Sequence, residues 1–263
     1  MTASIEISRR MLGDDDLVVP QWPVPRNVRA LVTTRAGGVG TGPLASFNLA
    51  EHVVGNDAAQ RAAVAENRRR LRVLLPSEPC WLAQVHGNRV VKIASDRDRN
   101  SPEADAAITF DDDVVLTVLV ADCLPVLLAR ADGTAVGIAH AGWRGLSAGV
   151  VANAARALGA PRQRLVAWLG PAIGPDAFEV GGEVREAFVR AAPAAAAAFR
   201  SGRLDKWFAD LYALARLQLA DVGVVDVRGG GFCTFTESQR FYSYRRDRVT
   251  GRMAALIWRS GTR

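Results

Sequence analysis

The chain has 263 residues, a formal charge of +6 and a pI near 9.9, with 49% hydrophobic and 23% charged residues. These are ordinary globular values that supply a sizeable core and exclude a largely disordered chain. Only Lys92 and Lys206 are lysines, so the basic charge is arginine scattered among acids, a pattern that argues against a nucleic-acid face.

The N-terminal MTASIEISRRMLGDDDL lacks the apolar run of a secretion signal, and no segment reaches the roughly 20 apolar residues of a membrane helix. Cys80, Cys123 and Cys233 are too few and too widely spaced for a disulfide framework. A soluble cytoplasmic protein is expected. Residues 1–27 read as a strand-poor lead-in, and 28–263 as one catalytic domain.

VRALVTT alternates as a strand and ends in the glycine-rich RAGGVGTGP. Asn56 and Asp57 offer caps for a helix through AAQRAAVAENRRRLRVLL, closed by Pro76. A strand pair follows around WLAQVHGNRVVKIA. The β-branched runs at 114–121 and 124–129 have the pattern of strands buried on both faces, with Asp122 and Cys123 between them. The turn ADGT leads into AVGIAH at 135–140, so a hairpin returns His140 toward Cys123. A single helix is expected through LSAGVVANAARALG, then a strand in LVAWLG. Two more helices follow, one interrupted at Pro193 beside the alanine run AAPAAAAAF and one over 203–220, before last strands in VVDVRGGG and MAALIW. Strands and helices of comparable weight, with hairpin connections, indicate an α/β (α+β) layered fold of mixed β-sheets flanked by helices.

His52, His86 and His140 are the only histidines, so few residues can bind a metal or carry protons near neutral pH. His86 and His140 both stand at strand ends beside glycines. With Cys123 they offer two imidazoles and a thiolate, the donor set of a metal centre, zinc being the expected ion. Three protein ligands leave a fourth position for water or substrate, as in catalytic sites. Asp122 reads as a supporting acid rather than a ligand, because alternation turns it away from Cys123. HAGWRG, with Gly142, Arg144 and Gly145 at a helix start, reads as a phosphate cradle, and Arg35 with Gly37 and Gly38 in TTRAGG as a second anion element. SYRRD at 243–247 reads as a solvated charge run.

Taken together, TTRAGGVG, SFNLAEHV, ENRRRL, QVHGNRV, EADAAIT, ADCLPVLL, HAGWRG, GPAIGPDAFEVG and FYSYRRDRVTGRMAALIW resemble the YfiH-type family, also called laccase-domain-containing or polyphenol-oxidase-labelled proteins. The resemblance runs in order from about residue 30 to 258. It implies a layered α/β fold and a zinc centre at His86, Cys123 and His140. It also implies purine nucleoside phosphorylase activity on adenosine, inosine, guanosine and methylthioadenosine, together with adenosine deaminase activity. Purine nucleosides and phosphate would be the partners, with no nucleic acid or membrane. Arg35, Asn48, Gln84 and Arg144 fall in motifs that line the same cleft in this resemblance. For deamination, Glu179 and Asp105 are the candidate proton shuttles.

The laccase label implies copper chemistry instead. Three histidines are too few for a three-copper cluster, and Met253 is the only methionine beyond the N-terminal segment, so copper is expected only as an adventitious substitute. A metal-free Cys–His hydrolase, with Cys123 as nucleophile and His140 as base, is a further alternative.

Overall fold

The computed structural model describes residues 12–13, 16–95, 101–159 and 164–261. Two mixed sheets lie face to face. The first has the order β1 (Leu17–Val18), β2 (Val28–Thr33), β14 (Met253–Arg259), β6 (Leu116–Val120), β3 (Cys80–Trp81), antiparallel except for the β3–β6 pair. The second runs β13 (Asp226–Gly229), β9 (Leu165–Leu169), β7 (Leu124–Arg130), β8 (Val136–Ala141), β5 (Ala106–Thr109), β4 (Val90–Lys92), with parallel pairs only at its two edges. A small sheet of β10 (Glu179–Val180), β12 (Trp207–Ala209) and β11 (Phe199–Ser201) stands apart.

Strand alternation explains the layering. On β7, Leu127 and Ala129 pack between the two large sheets, while Leu124, Val126 and Leu128 face the helices outside. On β14, Met253, Ala255 and Ile257 face inward, and Ala254, Leu256 and Trp258 meet α1 (Ala58–Arg72) through Leu71. The continuous apolar runs in the sequence follow from this: the central strands have no wet face. Outside the second sheet lie α2 (Trp143–Ser147), α3 (Val150–Ala157), α4 (Gly182–Ala191) and α5 (Leu211–Asp221). None of the helices is long and apolar enough to cross a membrane among the described residues.

The expected mixed-sheet α/β architecture is observed. Asp57 caps α1 by accepting from Gln60 N at 3.0 Å. The hairpin of β7 and β8 sets His140 opposite Pro125, two residues from Cys123.

Four local expectations differ. The helix expected through LSAGVVANAARALG is broken into α2 and α3, with Gly149 at φ 90° between them. The side chain of Gln218 on α5 fills that break, accepting from Val151 N and Ala152 N and donating to Leu146 O. The alanine run is not an α-helix but a 3₁₀ stretch, Pro193–Ala198, that feeds β11. The first part of the expected 203–220 helix is strand β12, because Asp210 caps α5 through Ala213 N at 3.0 Å and fixes its start at Leu211. Within the lead-in, Leu17 and Val18 already pair with β2.

Leu127 is fully buried between the sheets. Leu127→Ala is expected to lower the unfolding free energy by about 2–5 kcal/mol. Urea denaturation measures the loss, and a change below about 0.5 kcal/mol would contradict the packing described.

Candidate metal centre

Three different parts of the fold deliver side chains that could together hold a metal ion. His140 lies on β8 of the second sheet. Cys123 sits where the chain crosses from β6 in the first sheet to β7 in the second, and His86 stands in the loop that leaves β3. One donor atom from each lies within 4.8 Å of the others. Tetrahedral N and S donors at about 2.0–2.3 Å from an ion are roughly 3.3–3.8 Å apart, so the set needs only a small contraction to close on one. Exposure is graded, from buried His140 through half-buried Cys123 to exposed His86.

The carboxylate of Asp105 organises this arrangement. It is fully buried, and its Oδ1 lies 2.8 Å from His140 Nδ1. It also accepts backbone N–H groups from Val85 at 3.1 Å, His86 at 2.9 Å and Gly87 at 2.7 Å. One acid thus leaves His140 Nε2 free to ligate an ion and folds the His86 loop onto the same point, with His86 held at φ 61°. Burial acts against the charge of Asp105, but the His140 contact and the N–H donors outweigh it and hold its pKa below the ordinary carboxylate value.

Burial alone would raise the Cys123 thiol. The neighbouring His140, by charge and hydrogen bond, and His86 overcome it and bring the thiol down to about 6. Burial likewise opposes charge on His140, yet the Cys123 thiolate and Asp105 lift it to about 9. The sulfur is therefore held in the form that binds metals. Donor type, convergence and an oriented imidazole all fit a divalent cation.

Gly142 caps α2 and packs on the sulfur: a Cβ there would lie 2.8 Å from Cys123 Sγ and 3.2 Å from His86 Cδ2. At Gly145 a Cβ would lie 2.6 Å from Gly87 O. Both glycines of HAGWRG thus serve close packing against the loops of His86 and Cys123.

The ligands open into a cleft of about 740 Å³. Trp143, Ile173, Phe178, Leu211 and Tyr244 give it apolar and aromatic walls. The third histidine, His52, also lines it; burial, with the charges of Arg252 and Arg68, lowers the pKa of its imidazole and favours the neutral form.

The other expected site residues fall in and around this cleft as follows. Arg35 does not line the cleft. Its guanidinium donates to Ala45 O and Ser238 O and stacks over Tyr242, which ties two loops together. Arg144 is exposed, stacked 4.5 Å from the Trp143 ring and outside the cleft lining. Gln84 does line it, but both ends of its amide are bound to Leu119, accepting from N at 2.7 Å and donating to O at 2.9 Å. Asn48 is buried behind the wall, its Oδ1 accepting from Ala50 N and Arg252 N. Asp122, at φ 84°, accepts from Thr234 Oγ1 and Arg245 N, a structural role. Glu179 is exposed and outside the cleft lining. SYRRD, read as a solvated face, instead brings Tyr244 and Arg245 into the cleft, with Arg248 and Arg252 following.

Residues 29–260 match the family described as multi-copper polyphenol oxidoreductase laccase. The chain belongs to this family. Within it, the chain is 52% identical over 242 residues to a purine nucleoside phosphorylase of Pseudomonas aeruginosa, covering 92% of this chain and 97% of that one. It is 50% identical over 244 residues to the purine nucleoside phosphorylase YfiH of Escherichia coli, covering 92% and 98%. The crystal structure of a Neisseria meningitidis protein superposes with a TM-score of 0.87 at 47% identity, covering 94% of this chain and 100% of that one. YlmD from Geobacillus stearothermophilus gives 0.82 at 32% identity, covering 90% and 93%. The laccase family's name notwithstanding, the one His–Cys group among the described residues includes only two imidazoles.

Asp105→Asn is expected to weaken metal affinity about 10- to 100-fold while the fold is retained. Chelator competition measures it, with circular dichroism as the control. Unchanged affinity would remove Asp105 from the role given above.

Proposed function

We propose that this chain is a zinc-dependent purine nucleoside phosphorylase, acting on adenosine, inosine, guanosine and methylthioadenosine in the cytoplasm. The observation that carries this reading is the convergence of His86, Cys123 and His140 at the base of an aromatic, cationic cleft. Its support from relatives is their naming as purine nucleoside phosphorylases at about half identity over nearly their whole length.

In the reaction, a phosphate oxygen attacks C1′ of the ribose and the C1′–N9 bond breaks. The electron pair leaves with the base, and the proton of the attacking phosphate ends on the base, giving free purine and ribose 1-phosphate. His86, Cys123 and His140 would hold the ion, which supplies a fixed positive charge. Trp143, Phe178 and Tyr244 offer flat surfaces for a purine, and exclusion of water by these walls strengthens charge interactions within the cleft. Placing two reactants in one pocket supplies further acceleration.

The deaminase reading shares the metal centre but needs a proton-shuttling carboxylate free to reach the base. Asp105 is occupied by His140 and three backbone N–H groups, and Glu179 lies outside the cleft, so phosphorolysis is the better-supported chemistry.

Purified protein incubated with adenosine, inosine, guanosine or methylthioadenosine should release free base only when phosphate is present, and Cys123→Ala should lose both bound zinc and this activity. Chromatography of products and elemental analysis read the two outcomes. Release independent of phosphate would discard the phosphorylase, and full activity in zinc-free protein blocked by thiol alkylation would favour the Cys–His hydrolase.

A further inference from the structure

We infer that the anion end of this cleft is built by Arg252, assisted by Arg248 and Arg245, and that it takes inorganic phosphate. The inference rests on the phosphorylase reading for its choice of anion, but the residues it names are not the candidate metal ligands.

Three guanidinium groups line the cleft against a single carboxylate, Asp122, whose oxygens are taken by Thr234 Oγ1 and Arg245 N. None of the three arginines takes part in an ion pair among the described residues. Arg252 is the most constrained. It is half-buried, and its Nη1 donates to Thr250 O at 2.9 Å and Gly251 O at 3.0 Å, while Nε and Nη2 have no protein acceptor among the described residues. A half-buried guanidinium with half its fork unspent and no ion-pair partner among the described residues leaves two nitrogens able to donate to an anion in the cleft that it lines. Burial indeed acts against its charge, and Cys123, Asp122 and Tyr244 only partly compensate.

Its position is fixed from behind. Asn48 Oδ1 accepts from Arg252 N at 2.9 Å and from Ala50 N at 3.1 Å, so one buried amide sets both Arg252 and the turn Glu51–Val53 that carries His52 into the cleft. Asn48 is thus a positioning residue for this end. Arg248 has only a ring contact, 5.8 Å from Tyr244, and its guanidinium is otherwise uncommitted among the described residues. Arg245 is partly committed, donating to Glu179 O at 2.7 Å over the Phe178 ring. Arg252 and Arg248 therefore supply the free forked donors that match phosphate oxygens.

The test compares wild-type protein with Arg252→Gln, Arg248→Gln, Arg252→Lys and Arg144→Gln. Two quantities are measured: phosphate binding to nucleoside-free, metal-loaded protein by calorimetry, and the KM values for phosphate and for inosine. Arg252→Gln should raise the Kd and KM for phosphate about 10- to 100-fold, with the KM for inosine changed less than about threefold and zinc content unchanged. Arg248→Gln should move the phosphate constants in the same direction by less.

If Arg252→Gln fails to fold by circular dichroism, Arg252→Lys and the exposed Arg248→Gln decide; an unchanged KM for phosphate in both overturns the inference. A rise with Arg144→Gln and none with the Arg252 variants would overturn it as well. Calorimetry separates this claim from the previous one: phosphate held through Arg252 by a protein that cleaves no nucleoside would sink the phosphorylase and keep the subsite. Phosphate-dependent turnover indifferent to Arg252 and Arg248 would do the reverse.

Discussion

The buried carboxylate of Asp105 is the constraint on which the site depends. An isolated charge in a fully buried position would be prohibitively unfavourable, so the chain must bring donors to it. Three come from consecutive backbone N–H groups of the His86 loop and one from the imidazole of His140. Satisfying one acid therefore assembles two of the three candidate ligands, and His140 N donating to Asp105 O at 2.7 Å fixes the strand register at the same place. The left-handed backbone at His86 is tolerated because these bonds over-determine it.

The third candidate ligand comes from topology. β6 and β7 are adjacent in sequence but belong to different sheets, and Cys123 lies in the short crossing between them. Asp122, held at positive φ, anchors that crossing to Thr234 and to the backbone of Arg245, so the arginine-bearing segment and the sulfur share one support. The metal end and the cationic end of the cleft are in this sense built from a single turn. Gly142 completes the packing by leaving space for the sulfur.

How much of this was legible in the sequence follows the range of the interactions. The β7–β8 hairpin reads directly, since apolar runs flank a turn and the register then sets His140 near Cys123. The cap of α1 by Asp57 is equally local. The break at Gly149 was hidden because its stabilising partner, Gln218, is 67 residues from Val151. The strand at Trp207–Ala209 was hidden because its pairing partners lie in other segments. Arginine roles were the least legible: Arg35 and Arg144 sit in glycine-rich motifs that resemble anion loops, yet one is consumed by carbonyls and the other faces solvent. Arg248 and Arg252 sit in a charge-dense segment whose folding into the cleft depends on Asn48, some two hundred residues earlier, with a separation of 204 for the Arg252 bond. Asp105 was legible only as a candidate proton shuttle, because its bonds to Val85, His86 and Gly87 span 18 to 20 residues and leave no local pattern.

The distribution of the ligands over two sheets has a mechanical consequence. His140 belongs to one sheet, His86 follows a strand of the other, and Cys123 spans the joint, so an ion bound there would act as a rivet through the sandwich. Sliding of one sheet over the other would have to stretch that rivet, and the melting temperature of the whole sandwich would rise with the free concentration of the ion. Resistance to heat would then report occupancy of the centre even in a sample given no substrate.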